Sequence, residues 1–388
     1  MIYLDNAATS WPKPPAVARA VRNALIGGMG NPGRTNHNNS MNAALMVQEC
    51  REQLAQLFGI PNPLRICFAA NTTDALNLAI KGVISPGDHV LSSSMEHNSV
   101  WRPLVALEER GVELTVVATD ASGVIDVASI ERSIKSNTKL IAMIHASNVN
   151  GAIQPMAEIG RIARQRGILL LADAAQTAGS IPIDVEAMSI DLLAFPGHKG
   201  LLGPQGTGGL YVSERVDLRP LKEGGTGSDS MSPHQPLYYP DRLESGTLNL
   251  PGIAGLNESV RYLLRKGVAR IERKEAALTH RLLDGLAKIE GVTVYGPAVR
   301  VTRAAVVSFN IQGMDSVSVA AQLEARADIA CRPGWHCAGL AHRTQGTELT
   351  GTVRLSPGPF TKASEIVTAL GVIAELAREA KIQRASGA

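Results

Sequence analysis

Lys199 stands in the run Pro196-Gly197-His198-Lys199-Gly200, where a short apolar stretch is broken and ends. A second apolar stretch, residues 168–172, ends in Asp173, with Gln176 close behind. An amine in a loop leaving one buried strand, and a carboxylate at the tip of another, suit an aldehyde cofactor. Pyridoxal phosphate takes an amine for its Schiff base and an anion against its pyridine nitrogen, which keeps the ring protonated and able to store electrons. Alone, a Gly-His-Lys-Gly loop is more often a solvated turn; other residues decide the matter here.

Several of these recur at strand exits. Asn71, Thr72 and Thr73 lead from a strand into a helix, where hydroxyls and free N–H groups make either an anion seat or a plain cap. His97 follows another strand, and its imidazole could lie over a planar ring and shuttle protons, or be an ordinary loop histidine. Arg354 is a lone cation in a strand-like run, able to clamp a carboxylate bidentately or to serve as an edge-strand arginine. No P-loop pattern occurs, and the glycines around Gly206 precede a strand instead of following one, so a dinucleotide fingerprint is weak. Cys50 and Cys67 fall in helix- and strand-like runs and are expected to be buried. Cys337 lies among breakers and is expected to be exposed. Cys331, His336, Cys337 and His342 match no common zinc spacing, so no metal is expected. A Cys331–Cys337 disulfide is disfavoured in a cytoplasmic setting.

These residues need elements to hold them. Residues 16–25 and 41–58 read as helices. Strand-like runs at 65–69, 89–92, 113–117, 140–145, 168–173, 191–195 and 209–212 alternate with helical patterns such as 73–81, 100–110 and 156–166. That alternation predicts an α/β fold with a mostly parallel sheet covered on both faces. In such sheets ligands bind beyond the carboxyl ends of the strands, where His97, Asn148, Asp173, Gln176, His198 and Lys199 all fall. After residue 246 a long helical stretch, 253–289, precedes a smaller α+β region: strands at 292–295 and 305–310, a helix at 316–325, two short strands and a helix at 362–380. The expected division is a large domain over 15–261, and a small domain over 1–14 and 262–388 that carries Cys337 and Arg354. Residues 223–230 are expected to form a mobile loop.

The 388 residues are 45% apolar and 19% charged, an ordinary globular composition with room for a large core. A net charge of +3, with scattered basic residues, gives no reason to expect nucleic acid. No apolar run is long enough to span a bilayer, and an acid stands early where a secretory signal would be basic, so a cytoplasmic protein is expected.

The motifs taken together carry a resemblance: residues 3–9, Asn71-Thr72-Thr73, Glu96-His97, Asn148 to Gly151, Ala172-Asp173 to Gln176, Gly197-His198-Lys199, Glu244 to Thr247, Arg332 to Cys337, and Arg354. In this order and spacing the chain resembles the cysteine desulfurase and selenocysteine lyase branch of the class V aminotransferases, which are fold-type I pyridoxal-phosphate enzymes. The resemblance spans essentially the whole chain. It implies that Lys199 carries the cofactor, Asp173 pairs with its pyridine nitrogen, Gln176 contacts its ring hydroxyl and His97 stacks on the ring. Thr73 and His198, beside Thr72, would hold the phosphate, joined by Thr247 from the other subunit of a homodimer. Asn148 and Arg354 would orient the substrate carboxylate, with Arg332 a second cation nearby. Cys337 would accept sulfur from L-cysteine (or selenium from L-selenocysteine), with Arg332 and His336 favouring its thiolate. Pro196 replaces a serine frequent in the family, removing one phosphate hydroxyl. The compact segment around Cys337 resembles the second desulfurase group, in which a separate sulfur-acceptor protein often drives turnover, as in iron–sulfur cluster assembly. A transaminase or C–S lyase of the same fold, or a non-catalytic scaffold, would share the architecture without needing Cys337.

Overall fold

The alternating pattern folds as expected into a sheet with both faces covered. The computed structural model describes residues 1–32, 37–298 and 301–386. After a short β1 (Ile2–Tyr3) come β2 (Ile66–Ala69), β3 (His89–Ser93), β4 (Glu113–Val117), β5 (Thr138–Ile144), β6 (Leu169–Asp173), β7 (Leu192–Pro196) and β8 (Gly208–Val212). The last seven form one sheet in the order β2-β8-β7-β6-β5-β3-β4. Strands β3 to β7 are mutually parallel, and β8 runs against both of its neighbours.

Successive side chains of a strand face opposite ways, and the sequence uses both directions for apolar groups. Leu140 and Ala142 of β5, Leu169 and Leu171 of β6, and Leu192 and Ala194 of β7 enter one core. Ile141 and Met143, Leu170 and Ala172, and Leu193 and Phe195 enter the other. Helix α1 (Pro15–Ile26), begun by a proline, packs against a later helix, α7. Helices α2 (Asn38–Phe58), α5 (Val127–Ser133), α6 (Met156–Gln165) and α7 (Leu250–Lys266) cover one face through residues such as Leu54, Ile130, Ile159 and Leu256. Helices α3 (Thr72–Val83) and α4 (Asn98–Glu108) cover the opposite face with Leu76, Ile80, Val100 and Leu104. Phe195 lies fully buried with its ring 5.2 Å from that of Phe58, a burial worth about 2–3 kcal/mol. A sheet apolar on both faces has little freedom to slip, so its strand exits are fixed points.

The helical run expected over 253–289 is two helices, α7 and α8 (Val268–Leu286). Gly267, at φ 80°, ends the first by donating its N–H to Leu263 O, a backbone geometry costly for residues with a Cβ. A second, antiparallel sheet follows, built from β9 (Val292–Tyr295), β10 (Val307–Ile311), β12 (Arg332–Gly334) and β13 (Thr352–Leu355) in the order β12-β13-β10-β9. The two-residue β11 (Ile329–Ala330) pairs in parallel with β1, bringing the first residues of the chain against this sheet. Helices α8, α9 (Ser316–Ala327) and, after the short α10 (Gly339–Thr344), α11 (Ala363–Ser386) enclose its core around Phe309 and Val353. The sequence reading anticipated neither α5, α10 nor the β1–β11 pair, all of them too short to show a periodicity. Residues 223–230 form an irregular loop. Among the described residues no helix is long and apolar enough to cross a membrane.

Candidate active site

The carboxyl ends of β2, β3, β5, β6 and β7 open onto one hollow of about 100 Å³. It is lined by Thr72 and Thr73 after β2, His97 after β3, Asn148 after β5, Asp173 and Gln176 at the end of β6, and His198 and Lys199 after β7, with Ser99 among them. Asn71 caps α3 by accepting the Asp74 N–H, and the first N–H groups of the helix, beside Thr72 and Thr73, are of the kind that can receive an anion. The loop after β7 is tight. A Cβ on Gly197 would overlap Thr207 Oγ1, so glycine is required for the approach of the Lys199 loop to β8.

Burial sets the protonation of the site. Asp173 is 1% exposed; burial pushes its carboxyl up to about 6 against the Ala175 N–H bond and the charge of Lys199. Burial and the Arg354 charge push the Lys199 amine down to about 8, while Asp173 holds it up. His97 is pushed down to about 4 by burial and by Lys199, Arg332 and Arg354. The Ser99 N–H donates to His97 Nδ1 at 3.0 Å, so the neutral ring carries its proton on Nε2. The Ser99 hydroxyl links that same Nδ1, at 2.9 Å, to Thr73 Oγ1, at 2.7 Å. Ser99 was not singled out from sequence, although its place two residues beyond a capping histidine was the available signal.

Beside the hollow lies the segment that carries the thiol. Arg332 and Arg354 are register partners on β12 and β13. Arg354, 1% exposed, donates to Asn148 O and to Asp5 Oδ1, both at 3.0 Å, and its Nε has no partner. Cys337 is exposed, with Sγ 3.4 Å from Arg332 Nη2. The Asn98 N–H donates to the Cys337 carbonyl at 2.8 Å, and Asn148 Nδ2 donates to the His336 carbonyl at 2.6 Å. The thiol segment is thereby fastened to the helix behind His97 and to a wall of the hollow. His336 and Cys337 both have positive φ, 50° and 59°, a conformation costing about 1–2 kcal/mol per non-glycine residue.

One expectation fails here. His336 does not supply a second positive charge to the thiol. It is 2% exposed, and burial with the charges of Arg354, His342 and Arg332 drives its basicity down to about 2. Arg332 is the cation in contact with Cys337, and the Arg354 charge also bears on the thiol. Cys50 and Cys67 are buried and all four thiols are free, and among the described residues no group of metal-ligating side chains forms. Thr247 is not brought to the hollow of its own chain; it lines a separate depression with Phe68, Asp74 and Lys222.

The hollow fits pyridoxal phosphate. It holds an amine, a buried acid and a helix start in one lining, and the Asn148 Oδ1 and Arg354 Nε atoms are buried without partners, which is the mark of a polar ligand's place. The aminotransferase class-V model matches residues 2–368. The chain belongs to this family. Within it, a probable cysteine desulfurase of Methanothermobacter thermautotrophicus is 38% identical over 94% of this chain and 92% of its own. The cysteine desulfurase IscS of Pectobacterium carotovorum is 33% identical over 94% and 90%. An apo cysteine desulfurase structure from Thermococcus onnurineus superposes with a TM-score of 0.92 at 36% identity, covering 97% of this chain and 95% of that one. The resemblance carried by the motifs, and the class-V fold it implied, are therefore borne out.

Proposed function

We propose that this class-V protein is a pyridoxal-phosphate-dependent cysteine desulfurase that converts L-cysteine to L-alanine and keeps the sulfur as a persulfide on Cys337. The observation that supports the proposal is the fastening of the segment bearing the exposed Cys337 thiol to both His97's helix and Asn148, a wall of the hollow that holds Lys199 and Asp173. When bound, the cofactor supplies an electron sink for carbanion chemistry.

The chain's own groups divide the remaining work. Asp173, buried and anionic against a pyridinium, would hold the ring protonated. His97, neutral with its proton on Nε2, would face the ring. Thr72, Thr73, the α3 start and His198 would hold the phosphate, Gln176 would reach the ring hydroxyl, and Thr247 would complete the same seat in a second copy. Arg354, through its free Nε, would take the substrate carboxylate with Asn148 beside it. Lys199 Nζ would accept the α-proton. Cys337 Sγ, as thiolate beside Arg332, would attack the substrate sulfur. The S–S bond forms as the C–S bond breaks, and the electron pair goes to the carbon that becomes the alanine methyl. In this reading residues 15–261 hold the seat, while 1–14 and 262–388 carry the thiol arm. A homodimer, a separate sulfur-acceptor protein and a reducing cytoplasmic setting complete it, the last consistent with four free thiols.

Mass spectrometry of holoenzyme treated with L-cysteine tests this. A sulfur atom added at Cys337, and absent in C337A together with alanine formation, is the expected result. Undiminished turnover of cysteine in C337A would replace desulfuration with a lyase that has no use for the thiol.

A further inference from the structure

The peptide joining His198 to Lys199 is held in an uncommon way. Its carbonyl accepts four hydrogen bonds from the N-terminal segment: Ser10 N–H at 3.0 Å, Ser10 Oγ at 3.1 Å, Thr9 Oγ1 at 3.2 Å and Lys13 Nζ at 2.8 Å. A carbonyl has two lone pairs, so this acceptor is crowded. Its shortest bond comes from an ammonium, and charge-assisted bonds are the strong ones. Lys13 Nζ also donates to Ser10 Oγ at 2.7 Å.

Lys13 is partly buried, and no carboxylate offsets its charge: burial alone moves its basicity, down to about 8. A partly buried cation with only neutral acceptors is costly unless an anion sits nearby. Among the described residues Lys13 forms no ion pair, and no acid's charge moves its basicity. The charge does bear on the His198 imidazole, lowering its basicity along with burial and Lys199, and His198 lines the hollow beside Thr72 and Thr73. The His198 Nδ1 contact to Thr9 Oγ1, at 3.1 Å, ties the ring to the same segment. Lys13 thus stands behind the expected phosphate seat and grips the backbone of the lysine that must meet the aldehyde.

We propose that Lys13 is a positioning residue: acting through the His198 carbonyl, its ammonium fixes the Lys199 loop and lends positive charge to the phosphate end of the cofactor seat. This rests on the pyridoxal-phosphate reading of the hollow. Two consequences follow from electrostatics. Loss of the charge weakens binding of the phosphorylated cofactor more than of its phosphate-free analogue. It also raises the pH at which the protonated lysine-linked chromophore loses its proton, because a neighbouring like charge is gone.

The test measures equilibrium binding of pyridoxal phosphate and of pyridoxal to apo-protein, and the pH midpoint of the visible absorbance, in wild type, K13M and K13R. For K13M the expected result is a loss of affinity about tenfold larger for pyridoxal phosphate than for pyridoxal, with the midpoint moved upward; K13R restores both. If K13M does not fold, K13Q, which keeps a donor for the same carbonyl, is measured in its place. Equal losses for the two ligands with an unmoved midpoint, or no change at all, would overturn the role of Lys13 while leaving the cofactor reading intact. A wild-type protein that binds neither ligand would remove both.

Discussion

The hollow around Lys199 and the segment around Cys337 sit side by side and are built on opposite principles. The hollow is made from the exits of five strands whose two faces are apolar. Its groups are buried or partly so, and burial sets their protonation. The Cys337 segment hangs from the edge of a small antiparallel sheet, with two residues at positive φ and its thiol exposed. What joins them is a pair of backbone carbonyls, those of His336 and Cys337, taken up by Asn148 and Asn98. The difference follows the chemistry each region is proposed to perform. Carbanion chemistry gains from a dry, fixed site, whereas a sulfur that must be handed on has to remain within reach of solvent.

That contrast can be broken most severely at Lys199. K199A is expected to lower turnover by at least about a thousandfold and to lose borohydride-fixable cofactor, while C337A keeps it; equal loss of fixation in both variants would mean the regions are not separable. A smaller effect is expected at their seam. R354K keeps a charge but loses the planar fork held between Asn148 O and Asp5, so KM for cysteine should rise by roughly ten- to a hundredfold with kcat changed less. An unchanged KM would move the carboxylate site away from Arg354.

The smallest effect separates the two regions by pH. Beneath the hollow, Glu96 is fully buried, accepting from Ser93 Oγ and Ile144 N–H, and burial pushes its carboxyl up to about 8. Unfolded chain releases this proton in the ordinary carboxylic range, so Glu96 favours folding at low pH, and its contribution is lost as pH rises towards 8. The melting temperature of E96Q apo-protein relative to wild type should therefore climb between pH 5 and pH 8, by roughly 2 °C or more. A constant difference across that range would show that Glu96 is ionised in the folded protein throughout.

Much of the hollow was legible in the sequence, because a doubly covered parallel sheet announces its strands as apolar runs and the residue after each run falls at the ligand edge. Lys199, Asp173, His97 and Thr73 were found in that way. What escaped notice depends on contacts that no local pattern records. Asp5 meets Arg354 because the chain's first residues, paired through β1 with β11, also bridge from Asp5 to Ser356 far along the chain. His336 looks cationic by type and is neutral because it is buried among other cations. Lys13 belongs to none of the motifs, and its link to the Lys199 loop appears only in the folded contact with the His198 carbonyl. The helix break at Gly267 was visible as a glycine, but the apolar rhythm continues across it and concealed the boundary. Thr247 faces a different depression in its own chain, so the seat proposed for it would need a second copy.

The two latches on residues 336 and 337 have a consequence for substrate choice. On the proposed reaction, an arm so short, held at two successive carbonyls by Asn148 and Asn98, would work as a fixed gauge and not as a swinging lever. The distance from the α-carbon to the sulfur would then have to be met by the incoming amino acid itself. Cysteine, with a single methylene between those atoms, has the span such a gauge would accept, and a side chain one carbon longer would carry its sulfur past the mark.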